Sequence, residues 1–190
     1  MSTYPIYLRP ELAPIIAETP EQTTWDLPAM RAGGDALLAN PHEADNRVEV
    51  TARGRTFIPA DLAEDAPLII SIHGGGYVAG RAAFDDAKND ELATRFGAII
   101  VSPEYRLAPE FPFPIPVDDC ISALAEALER FGHERPTFIL GDSAGAGLAY
   151  SMVSRLCGLG LQMAQDEAIA ARYKRIASVI RGIILLEPCV

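Results

Sequence analysis

Thr137-Phe138-Ile139-Leu140-Gly141-Asp142-Ser143-Ala144-Gly145 is the stretch on which the reading of this chain turns. Its first four residues, opened by Pro136, are β-branched, aromatic or aliphatic and read as a short buried strand. From Ser143 to Leu156 the residues are small and apolar, with Leu148, Met152, Val153 and Leu156 at helical spacing. A G-x-S-x-G between a strand and a helix predicts a turn so tight that Gly141 and Gly145 have no room for side chains. Such a turn lifts the serine oxygen clear of the sheet. It also sets Ser143 at a helix N-terminus, where unpaired N–H groups and the helix dipole favour developing negative charge. Ser143 is therefore the candidate nucleophile.

Working outward, His73-Gly74-Gly75-Gly76 follows a second apolar run, Pro67-Leu68-Ile69-Ile70-Ser71-Ile72. Successive glycines let backbone N–H groups converge on one small space unobstructed by side chains, which is what an oxyanion hole requires. Taken alone, this tetrapeptide reads equally as a glycine turn after a buried strand. Together with the serine motif it reads as the second half of an acyl-transfer site.

The rest of the chain reads as alternating strands and helices. Arg47 to Thr51 and Arg55 to Pro59 form a hairpin around Arg53-Gly54, and Pro67 to Ile72 is a strand covered on both faces. A helix at Ala87 to Phe96, closed by Gly97, leads to the strand Ala98 to Ser102. Asp118 is placed to cap a helix carrying Ile121, Leu124, Ala125, Leu128 and Phe131, ended by Gly132. After the serine strand and its helix, a polar helix at Gln162 to Lys174 precedes a last strand, Ser178 to Leu186. The fold class is α/β with a largely parallel sheet flanked by helices. Residues 1–46 lack strand signals and form a separate helical segment, with helices at Pro10 to Glu18 and Leu27 to Leu38; residues 47–190 form the core. Phe111-Pro112-Phe113-Pro114-Ile115-Pro116 contributes to a P-x-x-P match, but reads as an internal turn carrying buried-type aromatics rather than as a peptide ligand.

Composition narrows the function classes. The chain has 190 residues, 49% of them hydrophobic and 22% charged, as in an ordinary globular domain. Its formal charge of −10 opposes nucleic acid and anionic membrane surfaces, and favours neutral substrates. No apolar run is long enough to span a bilayer, and no signal peptide is visible. Cys120, Cys157 and Cys189 form no C-x-x-C pair and read as small apolar fillers in a reduced, cytoplasmic protein. Three scattered histidines without clustered cysteines predict no metal site, and the glycine spacings miss both nucleotide-binding fingerprints, so no cofactor is expected.

Three blocks then carry a family resemblance: His73-Gly74-Gly75-Gly76-Tyr77, Tyr105-Arg106-Leu107-Ala108-Pro109-Glu110, and Gly141-Asp142-Ser143-Ala144-Gly145. In this order and spacing the chain resembles the hormone-sensitive-lipase family of α/β-hydrolases, with Ala146 where that family more often has glycine. The resemblance implies a serine carboxylesterase acting on short-chain acyl or aryl esters, a small neutral substrate. It implies that the N–H groups of Gly74, Gly75 and Ala144 hold the oxyanion. It also implies that His73 organises the glycine loop, with Gly76, Gly141, Asp142 and Gly145 supporting the two motifs, and that the N-terminal helices belong to a cap; a helical packing arm is the alternative.

The family pattern has its acid and then its histidine after the serine. Here His42, His73 and His133 all precede Ser143, so neither catalytic acid nor base is assigned in this chain. His133 precedes a strand about 17 Å long and belongs at its far end. Asp142 is expected to bond within the turn, and Glu187 sits where the family continues into further strands. The expectation is the N-terminal part of an α/β-hydrolase, lacking the last strands and crippled in turnover. Its strand Val179 to Leu186 would be an exposed apolar edge prone to self-association. A non-catalytic ligand-binding module, or a truncated product without independent activity, is the alternative.

Overall fold

The computed structural model describes residues 26–36, 38, 42–158 and 167–187; the helix expected at Pro10 to Glu18 lies outside them. In chain order the elements are α1 (Leu27–Ala36), β1 (Arg47–Thr51), β2 (Gly54–Ile58), β3 (Leu68–Ile72), α2 (Asp86–Phe96), β4 (Ile99–Pro103) and α3 (Ile115–Phe131). They continue with β5 (Thr137–Asp142), α4 (Ala144–Leu156), α5 (Glu167–Val179) and β6 (Ile180–Leu186).

The strands form one sheet in the order β1-β2-β4-β3-β5-β6. The β1–β2 hairpin and the β2–β4 pair are antiparallel; β4, β3, β5 and β6 run parallel. The continuous apolar runs of the parallel strands follow from covering on two sides. Leu68, Ile70 and Ile72 of β3 point to the face packed by α3 and α4, where Leu124, Leu128, Leu148 and Met152 close the main core. Ile69 of β3 and Ile100 of β4 point to the opposite face, where Phe57 and Ala93 of α2 make a smaller core. Each fully buried aliphatic chain contributes roughly 1.5–3 kcal/mol relative to exposure, so β3 and β4 anchor the sheet.

Helix α2 packs on β2 and β4. In register, Gly182 and Ile184 of β6 pair with Phe138 and Leu140 of β5. Among the described residues β6 is the last strand on this side of the sheet, with Ile184 50% exposed and Leu186 41%.

Four expectations need correction. The helix with Asp118 starts three residues earlier, at Ile115, and Asp118 lies in its first turn and pairs with Arg155 of α4 instead of capping. Pro116 is tolerated there because first-turn N–H groups have no intrahelical acceptor. The polar helix runs on to Val179 because Ile176 and Val179, three residues apart, are both buried against the core; Ser178 and Val179 are therefore not strand. Phe111 and Phe113 are not buried: Phe113 is 75% exposed, and the Phe111 ring lies under the Arg106 guanidinium at 5.0 Å. Cys120 is the core filler expected, its thiol pushed up by burial, but Cys157 caps the C-terminal end of α4 and is exposed. Cys189 lies outside the described residues.

Candidate active site

Ser143 stands at the C-terminal end of β5 with φ 51° and ψ −117°, in the turn that starts α4. A positive φ is costly for any residue with a Cβ, and such strain gathers where structure holds a side chain for a purpose. Its two glycine neighbours explain how the chain tolerates the turn. A Cβ on Gly141 would collide with the Gly145 carbonyl, and one on Gly145 would collide with the Ile72 carbonyl at the end of β3. The start of α4 is thus pressed against β3.

The glycine loop follows at that same strand end. A Cβ on Gly74 would lie 3.4 Å from the Ser143 Cβ and 3.1 Å from the Asp142 carbonyl oxygen, so Gly74 is the immediate neighbour of the serine turn. Gly75 has φ 126°, and a side chain there would strike the Ala79 carbonyl. Its own carbonyl accepts the N–H groups of Val78 (3.2 Å) and Ala79 (2.9 Å), which closes residues 75–79 into a single turn. Gly76 also has positive φ, and Tyr77 follows at φ 67°. On the other side, the Ser143 N–H donates to the Leu186 carbonyl at 2.8 Å, bringing the end of β6 to the serine. Gly74, Ala144 and Ser143 therefore meet at the carboxyl ends of adjacent parallel strands, where open α/β sheets place their ligands. Ala144 and Gly145 are buried in the first turn of α4, whose leading N–H groups lack intrahelical partners.

His73 is built into the scaffold. It is 1% exposed; its Nδ1 donates to the Gly74 carbonyl at 2.7 Å, and its ring stacks on Tyr105 with centroids 4.2 Å apart. The Tyr105 hydroxyl donates to the His73 carbonyl at 2.9 Å. Burial holds the His73 pKa below the ordinary histidine value, against the Gly74 hydrogen bond that raises it. Its Nε2 is buried and makes no hydrogen bond among the described residues. Tyr105 is itself buried, its phenol pushed up by desolvation. These contacts tie His73 to the Gly74 carbonyl and to Tyr105.

The other histidines lie elsewhere. His133 is exposed just after α3, ahead of the first residue of β5 and so at the opposite end of that strand from Ser143. His42 pairs with Asp90 of α2 at 2.9 Å. Asp90 also accepts the N–H groups of Asp45 (2.8 Å) and Asn46 (3.1 Å) and the Asn46 side-chain amide. Desolvation raises the Asp90 pKa, but these hydrogen bonds together outweigh it and hold the carboxyl at about 2. The cluster fastens residues 42–46 to α2. No local pattern in the sequence marks it, because the partners are more than forty residues apart. Nothing in local spacing marked Arg31 either, although its side chain reaches Val78, Ala108 and Glu110.

A cavity of about 400 Å³ opens at the ends of β2 and β4, lined by Ala52, Arg53, Pro103, Glu104, Arg106 and Asp119. Its arginines are already paired, Arg106 with Asp119 at 2.7 Å and Arg53 with Glu126, and it includes neither Ser143 nor the glycine loop. The strained serine marks the candidate site better than this hollow does. Among the described residues no group of His, Cys, Asp or Glu is arranged to hold a metal ion, and no helix is long and apolar enough to cross a membrane.

Comparison with known proteins agrees with this geometry. Residues 69–190 match the family described as alpha/beta hydrolase fold. The chain belongs to that family. Within it the chain is hormone-sensitive-lipase-like. It is 30% identical over 139 residues to the hormone-sensitive lipase of Homo sapiens, a match covering 68% of this chain and 13% of that protein. A versiconal hemiacetal acetate esterase of Emericella nidulans is 35% identical over 119 residues, covering 63% of this chain and 41% of the esterase. The crystal structure of a hormone-sensitive lipase from a metagenome library superposes with a TM-score of 0.67 at 30% identity, covering 94% of this chain and 55% of that one. This hydrolase-family chain thus spans about half the length of the solved relative and less of the two curated ones.

Proposed function

We propose that this chain carries the nucleophile half of a serine carboxylic-ester hydrolase acting on small neutral esters with short acyl or aryl groups. Ser143 Oγ attacks the acyl carbon, and the N–H groups of Gly74, Gly75 and Ala144 take up the charge on the carbonyl oxygen. The C–O bond to the alcohol then breaks, and the alcohol leaves with the proton surrendered by the serine. Water later cleaves the acyl-serine. The observation that carries this reading is the Ser143 backbone at φ 51°, strained into the turn and directly beside Gly74. The formal charge of −10 favours uncharged esters over carboxylate-bearing ones.

Turnover needs a base, and among the described residues His42 is paired with Asp90 and His133 lies at the far end of β5 from Ser143. His73 has its Nδ1 committed to Gly74 and its ring closed in by Tyr105, which favours a second reading of the isolated chain: a site that accepts an acyl group, or holds a ligand, without releasing product. Residual acceleration of about 10³-fold over water can persist from oxyanion donors and binding alone.

The test is incubation of the purified chain and Ser143→Ala with p-nitrophenyl butyrate, followed by intact mass. The expected result is one acyl adduct per wild-type chain, none on Ser143→Ala, and turnover at least about 10³-fold below that of a complete triad enzyme. A folded chain that takes no acyl group, or takes it equally in Ser143→Ala, removes Ser143 from the chemistry.

A further inference from the structure

Helix α1 buries no side chain completely, has Pro28, Gly33 and Gly34 among its ten residues, and is too short to persist alone in water. It stands because of what it grips. The Arg31 Nε donates to the Val78 carbonyl at 2.8 Å, and its Nη2 to the Ala108 carbonyl at 3.0 Å. The two terminal nitrogens also form a forked pair with Glu110, at 2.9 and 2.8 Å. One turn further on, Gly34 lies against the Phe84 ring, and Asp35 pairs with Arg81 at 3.1 Å.

The two carbonyls that Arg31 holds belong to the two segments that frame the glycine loop. Val78 closes the turn begun by Gly75, and Gly75 adjoins Gly74, the neighbour of Ser143. Ala108 donates its N–H to the Tyr77 carbonyl at 2.9 Å, so residues 77–78 and 108–110 are already joined when Arg31 spans them. A planar guanidinium satisfies two carbonyls and a carboxylate at fixed angles, which an ammonium does not. The far end of the loop is therefore pinned by a residue of α1, while its near end is pinned by His73.

We infer that Arg31 is a positioning residue that couples the docking of α1 to the shape of the glycine loop, so that undocking α1 slows acyl transfer to Ser143 without touching the ester. This rests on the acyl-transfer reading of Ser143, and the test separates the two. The chain, Arg31→Ala, Arg31→Lys and Glu110→Gln are compared by hydrogen exchange over residues 75–80 and by the rate of Ser143 acylation against p-nitrophenyl butyrate concentration.

In Arg31→Ala the amides of Val78 and Ala79 are expected to exchange faster while β3 and β5 keep their protection. The maximal acylation rate falls about 10- to 100-fold, with the half-saturating ester concentration unchanged. Arg31→Lys, which keeps the charge and loses the fork, recovers part of the rate. Glu110→Gln, which leaves both carbonyl bonds in place, stays within about fivefold of wild type. Wild-type exchange at 75–80 in Arg31→Ala overturns the inference, as does a rate loss in Glu110→Gln as large as in Arg31→Ala. If the wild-type chain accepts no acyl group, the reading of Ser143 fails and the exchange comparison alone decides the coupling. If Arg31→Ala loses protection throughout, the same comparison in Arg31→Lys decides it.

Discussion

Gly145 shows how narrowly the serine turn is determined at the scale of single residues. Any Cβ there must enter the space of the Ile72 and His73 carbonyls, which are backbone atoms of the central strand and have little freedom to retreat. Gly145→Ala is expected to cost about 3 kcal/mol or more, measured by urea denaturation, and to abolish acylation of Ser143 in whatever fraction still folds. Asp90 is a second residue whose surroundings set a measurable property. Its folded pKa, about 2, lies below the ordinary value of 3.8, so its hydrogen bonds stabilise the fold above about pH 4. That contribution is lost as pH falls through about 2, the folded-state value, and is on the order of 2 kcal/mol. Denaturation midpoints of wild type and Asp90→Asn should therefore converge between about pH 4 and pH 2 and stay well separated at pH 7; parallel curves would show that the carboxylate charge is not what holds residues 42–46. Asp90 was invisible as a local signal, because its partners His42, Asp45 and Asn46 come from a distant segment with no periodic pattern.

Elements were legible where period and burial agree. Strands β3, β4 and β5 read as apolar runs because the sheet hides both their faces, and α3 read correctly over Ile121 to Leu128 because one stripe faces the core. The misjudged ends share a cause. The start of α3 and the end of α5 depend on what the terminal turn packs against, which local spacing does not encode. Phe111 and Phe113 depart from expectation for the converse reason: a large apolar side chain is not by itself buried, and the turn before α3 has solvent on one side. Strand β6 carries this scale's prediction. Among the described residues no strand pairs with its outer edge, and Ile183 and Ile184 are both exposed. The chain is expected to self-associate with rising concentration in sedimentation velocity. Ile184→Lys should shift it toward monomer while leaving Ser143 acylation intact, and an unchanged distribution would clear the edge of that role.

At the scale of the whole molecule, one sheet end gathers residues from four separated parts of the chain: the glycine loop, the segment around Tyr105, the serine turn and the end of β6. The sequence by itself determined the α/β class, the candidate nucleophile and the glycine loop, because each is a local pattern with a local physical demand: alternation of periods, a turn with no room for side chains, a run of unobstructed N–H groups. Only the tertiary structure decided that His73 bonds to the Gly74 carbonyl, that a cavity of about 400 Å³ lies away from the serine, and that Arg31 of α1 bonds to the Val78 carbonyl at the loop's far end. Those facts concern which distant groups come within about 3 Å of one another, and that is set by how the helices close over the sheet.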